Sequence, residues 1–414
     1  MSIIRFDNVD VIFSKDPREA LKLLDQGMSR NEILKKTGQI VGVEKASLDI
    51  EKGEICVLMG LSGSGKSSLL RCINGLNTVS RGQLFVEHEG RQIDIASCTP
   101  AELKMMRTKR IAMVFQKFAL MPWLTVRENI SFGLEMQGRP EKDRRKLVDE
   151  KLELVGLTQW RNKKPDELSG GMQQRVGLAR ALACDPSILL MDEAFSALDP
   201  IMRTEMQSEL LRLQQIKRRT IVFISHDLDE AMRIGDRIAI MKDGHVVQVG
   251  TPEEILRKPA NDYVRNFVRG VDAAAVFKAS DIARKSQIVV SESPTRGSRA
   301  ALSMLEEQDR AYAYVVSPQR KFLGVVSADS LRTALDGHVG PLGLAHAYLP
   351  EVQTIDADEP VAGLFGQVAQ LPYAVPVVTN DGSFRGAISK TTLLKFLDRD
   401  TPAIAEPQLQ KGQA

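Results

Sequence analysis

Gly60-Leu-Ser-Gly-Ser-Gly-Lys66-Ser67 sets glycines, a lysine and hydroxyls at the spacing of a phosphate-binding loop. Glycine lets the backbone curl until successive N–H groups face phosphate oxygens, and the helix expected to open at Ser68–Cys72 adds the positive end of its dipole. Lys66 is then expected to reach the β and γ phosphates of a nucleotide and Ser67 to offer its hydroxyl to Mg²⁺. Gly60, Ser62, Gly63, Gly65 and Ser68 complete the cradle. An alternative reading is a glycine-rich turn without a ligand, but every constrained position of the pattern is filled.

The run Ile188-Leu-Leu-Met-Asp192-Glu193 reads as a buried strand that ends in two carboxylates. Burying an unpaired charge is costly, and a bound Mg²⁺ supplies a reason for it. Asp192 is expected to hold the metal directly or through water, and Glu193 to polarise the water that attacks the γ phosphate. The plainer reading is a pair of acids capping the next helix.

Leu168-Ser169-Gly170-Gly171-Met172-Gln173-Gln174-Arg175 precedes an alanine- and leucine-rich helical stretch, Val176–Ala183. It resembles the signature of the ABC ATPases, and that resemblance implies two ATPase domains meeting head to tail. Ser169, Gly170, Gly171 and Gln173 of one copy would then close over the γ phosphate held by the other, a helix start being an anion site. Further matches follow in the family's order. Gln116, in Val114-Phe-Gln, resembles the glutamine that senses Mg²⁺ and links the site to the membrane partner. Ser196-Ala-Leu-Asp199 resembles the loop that crosses the dimer interface, and His226 the histidine that contacts the γ phosphate, although a lone strand-end histidine is more often structural. Phe13 is the candidate for the aromatic that stacks on adenine, with an ordinary core phenylalanine as the equal alternative.

Positioning these residues takes alternating strands and helices. Apolar runs at Glu54–Met59, Ile111–Phe115, Ser187–Met191, Thr220–Ser225, Arg237–Met241 and His245–Val249 have the character of strands buried on both faces, so residues 1–270 read as an α/β ATPase domain. The resemblance implies a RecA-like core with a helical subdomain at about 117–180. Leu21, Leu24, Met28, Ile33 and Leu34 suggest a helical insertion at about 14–40. A linker is expected at 271–280. Beyond it Val316, Phe322, Gly324, Ser327, Leu331 and Leu335 recur a constant 62 residues later as Val378, Phe384, Gly386, Ser389, Leu393 and Leu397, from 316 to 378. Residues 281–400 therefore read as two strands and a helix, repeated once, and 401–414 as a disordered tail.

Composition narrows the partners. A 414-residue chain with 43% hydrophobic and 26% charged residues has room for two globular domains. A net charge of only +3 leaves no electrostatic footprint for nucleic acid. The four cysteines, Cys56, Cys72, Cys98 and Cys184, lack zinc-site spacing and suit a reducing cytoplasm. No apolar run approaches 18 residues and the N-terminus has no signal-peptide pattern, so membrane contact is expected only through another protein.

The insertion, the phrase MGLSGSGKSSLLRCINGL and the C-terminal repeat together resemble the ATPase subunits of glycine betaine, proline and choline importers. This implies a homodimer on the cytoplasmic face of the bacterial inner membrane, bound to permease subunits and working indirectly with a substrate-binding protein. Lys117–Gly138 would line the groove for the permease's coupling helix. The alternatives are an importer of another small polar solute, such as an amino acid, or a soluble ABC ATPase. The repeat resembles a tandem pair of CBS domains. Adenosine-binding members commonly carry an aspartate three residues after the Ser or Thr of Gly-x-x-Ser/Thr, where this chain has Ser330 and Thr392, with Asp329 one residue early. That argues against adenosine nucleotides there, and leaves a sensor of ionic strength or another ligand, or a dimerisation prop.

Overall fold

The computed structural model describes residues 2–292, 297–336 and 342–397. The chain divides into two compact units, Met1–Val271 and Asp272–Ala414.

In the first unit the long strands β1 (Ser2–Phe13) and β2 (Ile40–Glu51) pair antiparallel. Between them lie two short helices, α1 (Arg18–Asp25) and α2 (Arg30–Thr37). Their boundaries follow local chemistry: Ser29 and Glu32 form a reciprocal capping box at the start of α2, and Gly38 closes it in a left-handed conformation. Ala20, Leu23, Leu24 and Ile33 turn inward onto Ile12 and Val41. Strand β3 (Ile55–Met59) leads into α3 (Lys66–Ile73). After these come β4 (Arg81–His88) and β5 (Arg91–Asp94), which join β1 and β2 in a four-stranded sheet of order β2-β1-β4-β5.

Helix α4 (Pro100–Met105) precedes β6 (Ile111–Val114). Three helices follow, α5 (Val126–Met136), α6 (Glu141–Leu154) and α7 (Gly170–Ala183), packed around Ile130, Leu134, Leu152, Val155, Val176 and Ala179. The remaining core strands are β7 (Ile188–Asp192), β8 (Thr220–Ile224), β9 (Arg237–Lys242) and β10 (His245–Gly250). Together with β3 and β6 they form a six-stranded sheet of order β10-β9-β3-β8-β7-β6, parallel except for β10. All five residues of β3, of β7 and of β8 are buried, as continuous apolar runs require in a parallel sheet covered on both faces. Helices α8 (Pro200–Ile216), α9 (Leu228–Ile234), α10 (Pro252–Arg257) and α11 (Asp262–Phe267) complete the unit.

The second unit begins earlier than composition suggests. Residues 271–280, expected as a linker, fold in large part into α12 (Ala273–Val276) and the start of α13 (Ala279–Ile282). Ala279 and Ser280 donate their amides to the carbonyls of Glu359 and Ala357 at 2.8 and 3.0 Å, and Phe277 and Ala279 are buried. Its buried alanines, Ala273, Ala274 and Ala279, are what composition alone reads as a connector, although Phe277 among them is buried too.

Two similar halves follow. The first is β11 (Val289–Ser291), α14 (Ser298–Glu307), β12 (Tyr312–Val316), β13 (Phe322–Ser327) and α15 (Ala328–Leu335). The second is β14 (Ile355–Asp356), α16 (Phe365–Gln370), β15 (Val375–Val378), β16 (Phe384–Ile388) and α17 (Lys390–Leu397). Each half holds a three-stranded sheet with one parallel and one antiparallel pairing. The tail at 401–414 lies outside the described residues. Among the described residues no helix is long and apolar enough to cross a membrane.

Candidate functional site

The loop between β3 and α3 is fixed by close backbone approach. Gly60 sits at φ 145°, and a β-carbon there would lie 2.2 Å from the Met241 carbonyl oxygen. Gly65 sits at φ 99°, where a β-carbon would lie 2.4 Å from the Gly42 carbonyl oxygen. Both positions demand glycine on conformational and steric grounds. Gly65 is also the N-cap of α3 and provides no side-chain cap, so the first N–H groups of the helix have no side chain of the N-cap upon them. Gly63, at φ 79°, has open space around it. Ser64 is buried and its hydroxyl has no partner. A curled loop with an unpaired buried hydroxyl and an uncapped helix start fits the phosphates of a nucleotide.

Lys66 is 5% exposed and donates to the carbonyls of Gly60 at 2.8 Å and Leu61 at 3.0 Å. Burial pushes its ammonium below the usual lysine range, while the carboxylates of Glu193 and Asp192 pull it back up. Ser67 donates its hydroxyl to Asp192 at 3.0 Å. A hydroxyl and a carboxylate side by side are hard oxygen donors of the kind that suits Mg²⁺, which retains water and phosphate ligands.

Asp192 is fully buried, and its charge is answered within the protein. Arg71, one turn beyond Ser67 on α3, donates to it from Nη2 at 2.9 Å and from Nε at 3.2 Å. The burial of this acid therefore does not by itself require a metal, contrary to the reason given from the sequence. Ser67 beside Asp192 is what favours one. The spacing of Ser67 and Arg71, four residues apart on one helix face, was the available signal for the pairing.

Glu193 adopts φ 52°, a left-handed conformation unusual for a residue with a β-carbon. Its carboxylate receives the Gln116 side-chain amide at 2.6 Å and is bonded through its other oxygen to Nε2 of His226. Two residues far apart in the chain, following β6 and β8, thus converge on one carboxylate that follows β7. Phe13 is 47% exposed, and its ring lies across Gly42 close to Ser68 at the start of α3. It is not a core phenylalanine.

The residues at 168–175 are placed elsewhere. Ser169 caps α7, accepting the Met172 amide at 3.4 Å, and Gln173 donates to the carbonyls of Pro165 and Leu168 at 2.9 and 3.2 Å. Gly170 packs near the Phe118 ring and Gly171 near Ala197 and Leu198. Among the described residues no hydrogen bond joins this stretch to residues 60–67. Asp199 caps α8, accepting the Met202 amide at 3.0 Å. A cavity of about 330 Å³ lies beside α5 and α7, with Phe115, Ala119, Met121, Phe132 and Cys184 in its lining. Trp123 and Met136 are more than half exposed in the same stretch of chain.

Comparison with known proteins follows the same lines. Residues 43–196 match the family model described as ABC transporter. The chain is 54% identical over 394 residues to the glycine betaine/proline betaine transport system ATP-binding protein ProV of Salmonella typhimurium, covering 95% of this chain and 97% of that one. It is 44% identical over 398 residues to the glycine betaine/carnitine transport ATP-binding protein GbuA of Listeria monocytogenes, covering 96% and 98%. Among solved structures, the dimeric ATP-binding cassette MJ0796 in a post-hydrolysis state with ADP and Pi aligns with a TM-score of 0.52 at 31% identity, over 60% of this chain and 98% of that one.

Proposed function

We propose, from the premise that this chain belongs to the family of ATP-binding subunits of ABC transporters, that it hydrolyses ATP to drive import of glycine betaine or a related quaternary ammonium solute. The observation that carries the ATPase reading is the convergence of Gln116 and His226 on Glu193, on the same sheet that presents the Lys66 loop. Identity over nearly the full length to betaine transport subunits supports the cargo.

In this reading the backbone amides at 60–67 and Lys66 bind the phosphates of ATP, and Phe13 stacks on adenine. Glu193 orients the attacking water, holding its proton at the carboxylate, and His226 contacts the γ phosphate. Ser67, Asp192 and Gln116 would hold Mg²⁺, which supplies positive charge against the β and γ phosphates. Catalysis is then positioning and charge stabilisation rather than covalent chemistry.

In this reading residues 168–175 serve the ATP of a second copy, so that two chains enclose two nucleotides, which the likeness to a dimeric ATP-binding cassette supports. The exposed apolar residues of 117–138 dock the permease, which holds the subunit at the cytoplasmic face of the membrane. The second unit, with its paired halves, matches the tandem CBS reading and regulates the ATPase or holds the dimer.

The test is direct. Glu193→Gln is expected to keep ATP binding, to run as an ATP-dependent dimer on size-exclusion chromatography, and to lose hydrolysis by about 10²–10³-fold. Normal hydrolysis by this variant overturns the assignment of Glu193. With permease and receptor in liposomes, the native chain should hydrolyse ATP faster when glycine betaine is supplied. No stimulation by any quaternary amine removes the cargo. Repeating the assay from low to high salt, with and without residues 272–414, separates a regulatory second unit from a dimer prop.

A further inference from the structure

We propose that Gln174 is a positioning residue that fixes the backbone of Glu193, joining the two half-sites carried by one chain; the inference rests on the two-chain ATP site described above. Gln174 is 1% exposed, on a helix whose other buried residues are all Ala, Val, Leu or Gly. Both polar atoms of its side-chain amide have a partner. Nε2–H donates to the Glu193 carbonyl at 3.1 Å, and Oε1 accepts from the Ala197 amide at 3.1 Å. A buried amide must find partners, and both of these lie on the single turn that follows the catalytic carboxylate.

That turn needs holding. Glu193 is in the left-handed region, which persists in a residue with a β-carbon only where the surroundings over-determine it. Its N–H donates to the Ile224 carbonyl at 3.2 Å, and its carbonyl accepts from Ser196 Oγ at 2.9 Å and from Gln174. Two of these restraints are local to the sheet and the turn. The third comes from α7, whose first residues form the signature. Gly171, three residues earlier on the helix, meets the same turn, and a β-carbon there would lie 3.3 Å from the Ala197 carbonyl oxygen. Residues at i and i+3 share a helix face, so α7 lies along the 193–198 turn through Gly171 and Gln174.

The consequence is specific to a shared site. In the two-chain arrangement the signature of a chain closes on its partner's ATP, while Glu193 serves the ATP on its own loop. Gln174 is the side chain through which the position of one is felt by the other. Movement of α7 on closure is transmitted to the carbonyl of Glu193, and so to the direction of its carboxylate.

The experiment uses the full chain. In homodimers, Gln174→Met removes both hydrogen bonds at nearly constant volume and is expected to lower kcat about tenfold, the rate equivalent of one lost hydrogen bond, with KM for ATP changed by less than about twofold. Heterodimers of differently tagged chains then assign the effect. One chain carries Glu193→Gln, leaving a single working carboxylate, and Gln174→Met is placed either with the intact Glu193 or opposite it. Loss of about tenfold in the first arrangement and less than about twofold in the second supports the proposal. Equal loss in both, or native kcat in the first, overturns it. Gln174→Glu keeps the acceptor for Ala197 and loses the donor to Glu193, so native kcat in that variant also overturns it. Should Gln174→Met lose its cooperative melt, Gln174→Asn, which retains the amide one methylene short, takes its place. Failure of the two-chain reading is seen separately, as absence of the ATP-dependent Glu193→Gln dimer; the homodimeric kcat against KM split still decides the role of Gln174.

Discussion

One strand-to-helix start in the first unit and two in the second are built from the same parts and finished differently. In the first unit β3 runs into α3 through a loop whose N-cap is Gly65, with no side-chain cap. In the second, β13 runs into α15 through Ser327, whose hydroxyl accepts the Ser330 amide at 2.9 Å while Ser330 Oγ accepts the Ser327 amide at 2.9 Å. The start of α17 is closed similarly: Ser389 accepts the Thr392 amide at 3.1 Å and pairs with the Thr392 hydroxyl at 2.9 Å. A strand–loop–helix is thus an anion site only where the chain declines to satisfy its own first amides. At 330 and 392 the hydroxyls of Ser330 and Thr392 complete the caps.

The contrast is broken most readily through Lys66. Lys66→Ala should weaken ATP binding by about 10–100-fold, the loss of one charge-assisted contact, as read by titration calorimetry. The sharper point is stoichiometry: a second equivalent of ATP or AMP bound per chain, with an affinity that Lys66→Ala leaves unchanged, would mean that the closed starts of α15 and α17 take nucleotide after all. Gly60→Ala comes next. Its β-carbon meets the Met241 carbonyl in a conformation almost reserved for glycine, so the loop should distort and the first unit lose about 2–3 kcal/mol in thermal or chemical denaturation. Unchanged stability would show that the open start does not depend on this close approach. Smallest is the pair Ser327→Ala and Ser389→Ala. Each should cost about 1 kcal/mol of stability and leave the hydrolysis rate of the free subunit unaltered. A change in rate instead would make these caps part of the ATPase.

What the sequence made legible was whatever physics is local. The strands β3, β7 and β8 are continuous apolar runs because both faces are covered, and the loop at 60–67 declares itself through glycines that only backbone approach explains. The repeat at a fixed offset disclosed β12, β13 and α15 with their counterparts. It did not disclose β11 and β14, which are three and two residues long and owe their existence to pairing with β12 and β15. Strands β4 and β5 escaped for a related reason, lacking a continuous apolar run and being held by pairing, β4 with β1 and β5 with β4. Arg71 was missed because its partner stands 121 residues away. Gln174 was missed because a polar residue inside an apolar helix names no partner. The signature stretch was recognisable, but in the proposed two-chain site its target lies on a second copy, which a reading of one chain does not contain.

The ion pair of Arg71 with Asp192 carries a consequence for solution conditions. Mobile ions weaken charge pairs that water can reach and have little purchase on a carboxylate with no exposed surface. The Asp192 end of this pair is therefore shielded from the surrounding electrolyte, whereas Arg71, with 39% of its side chain exposed, and His226, with 49%, stand within its reach. Any answer of this ATPase to salt is expected to enter through such exposed charges or through its partners, with the buried carboxylate as the fixed point.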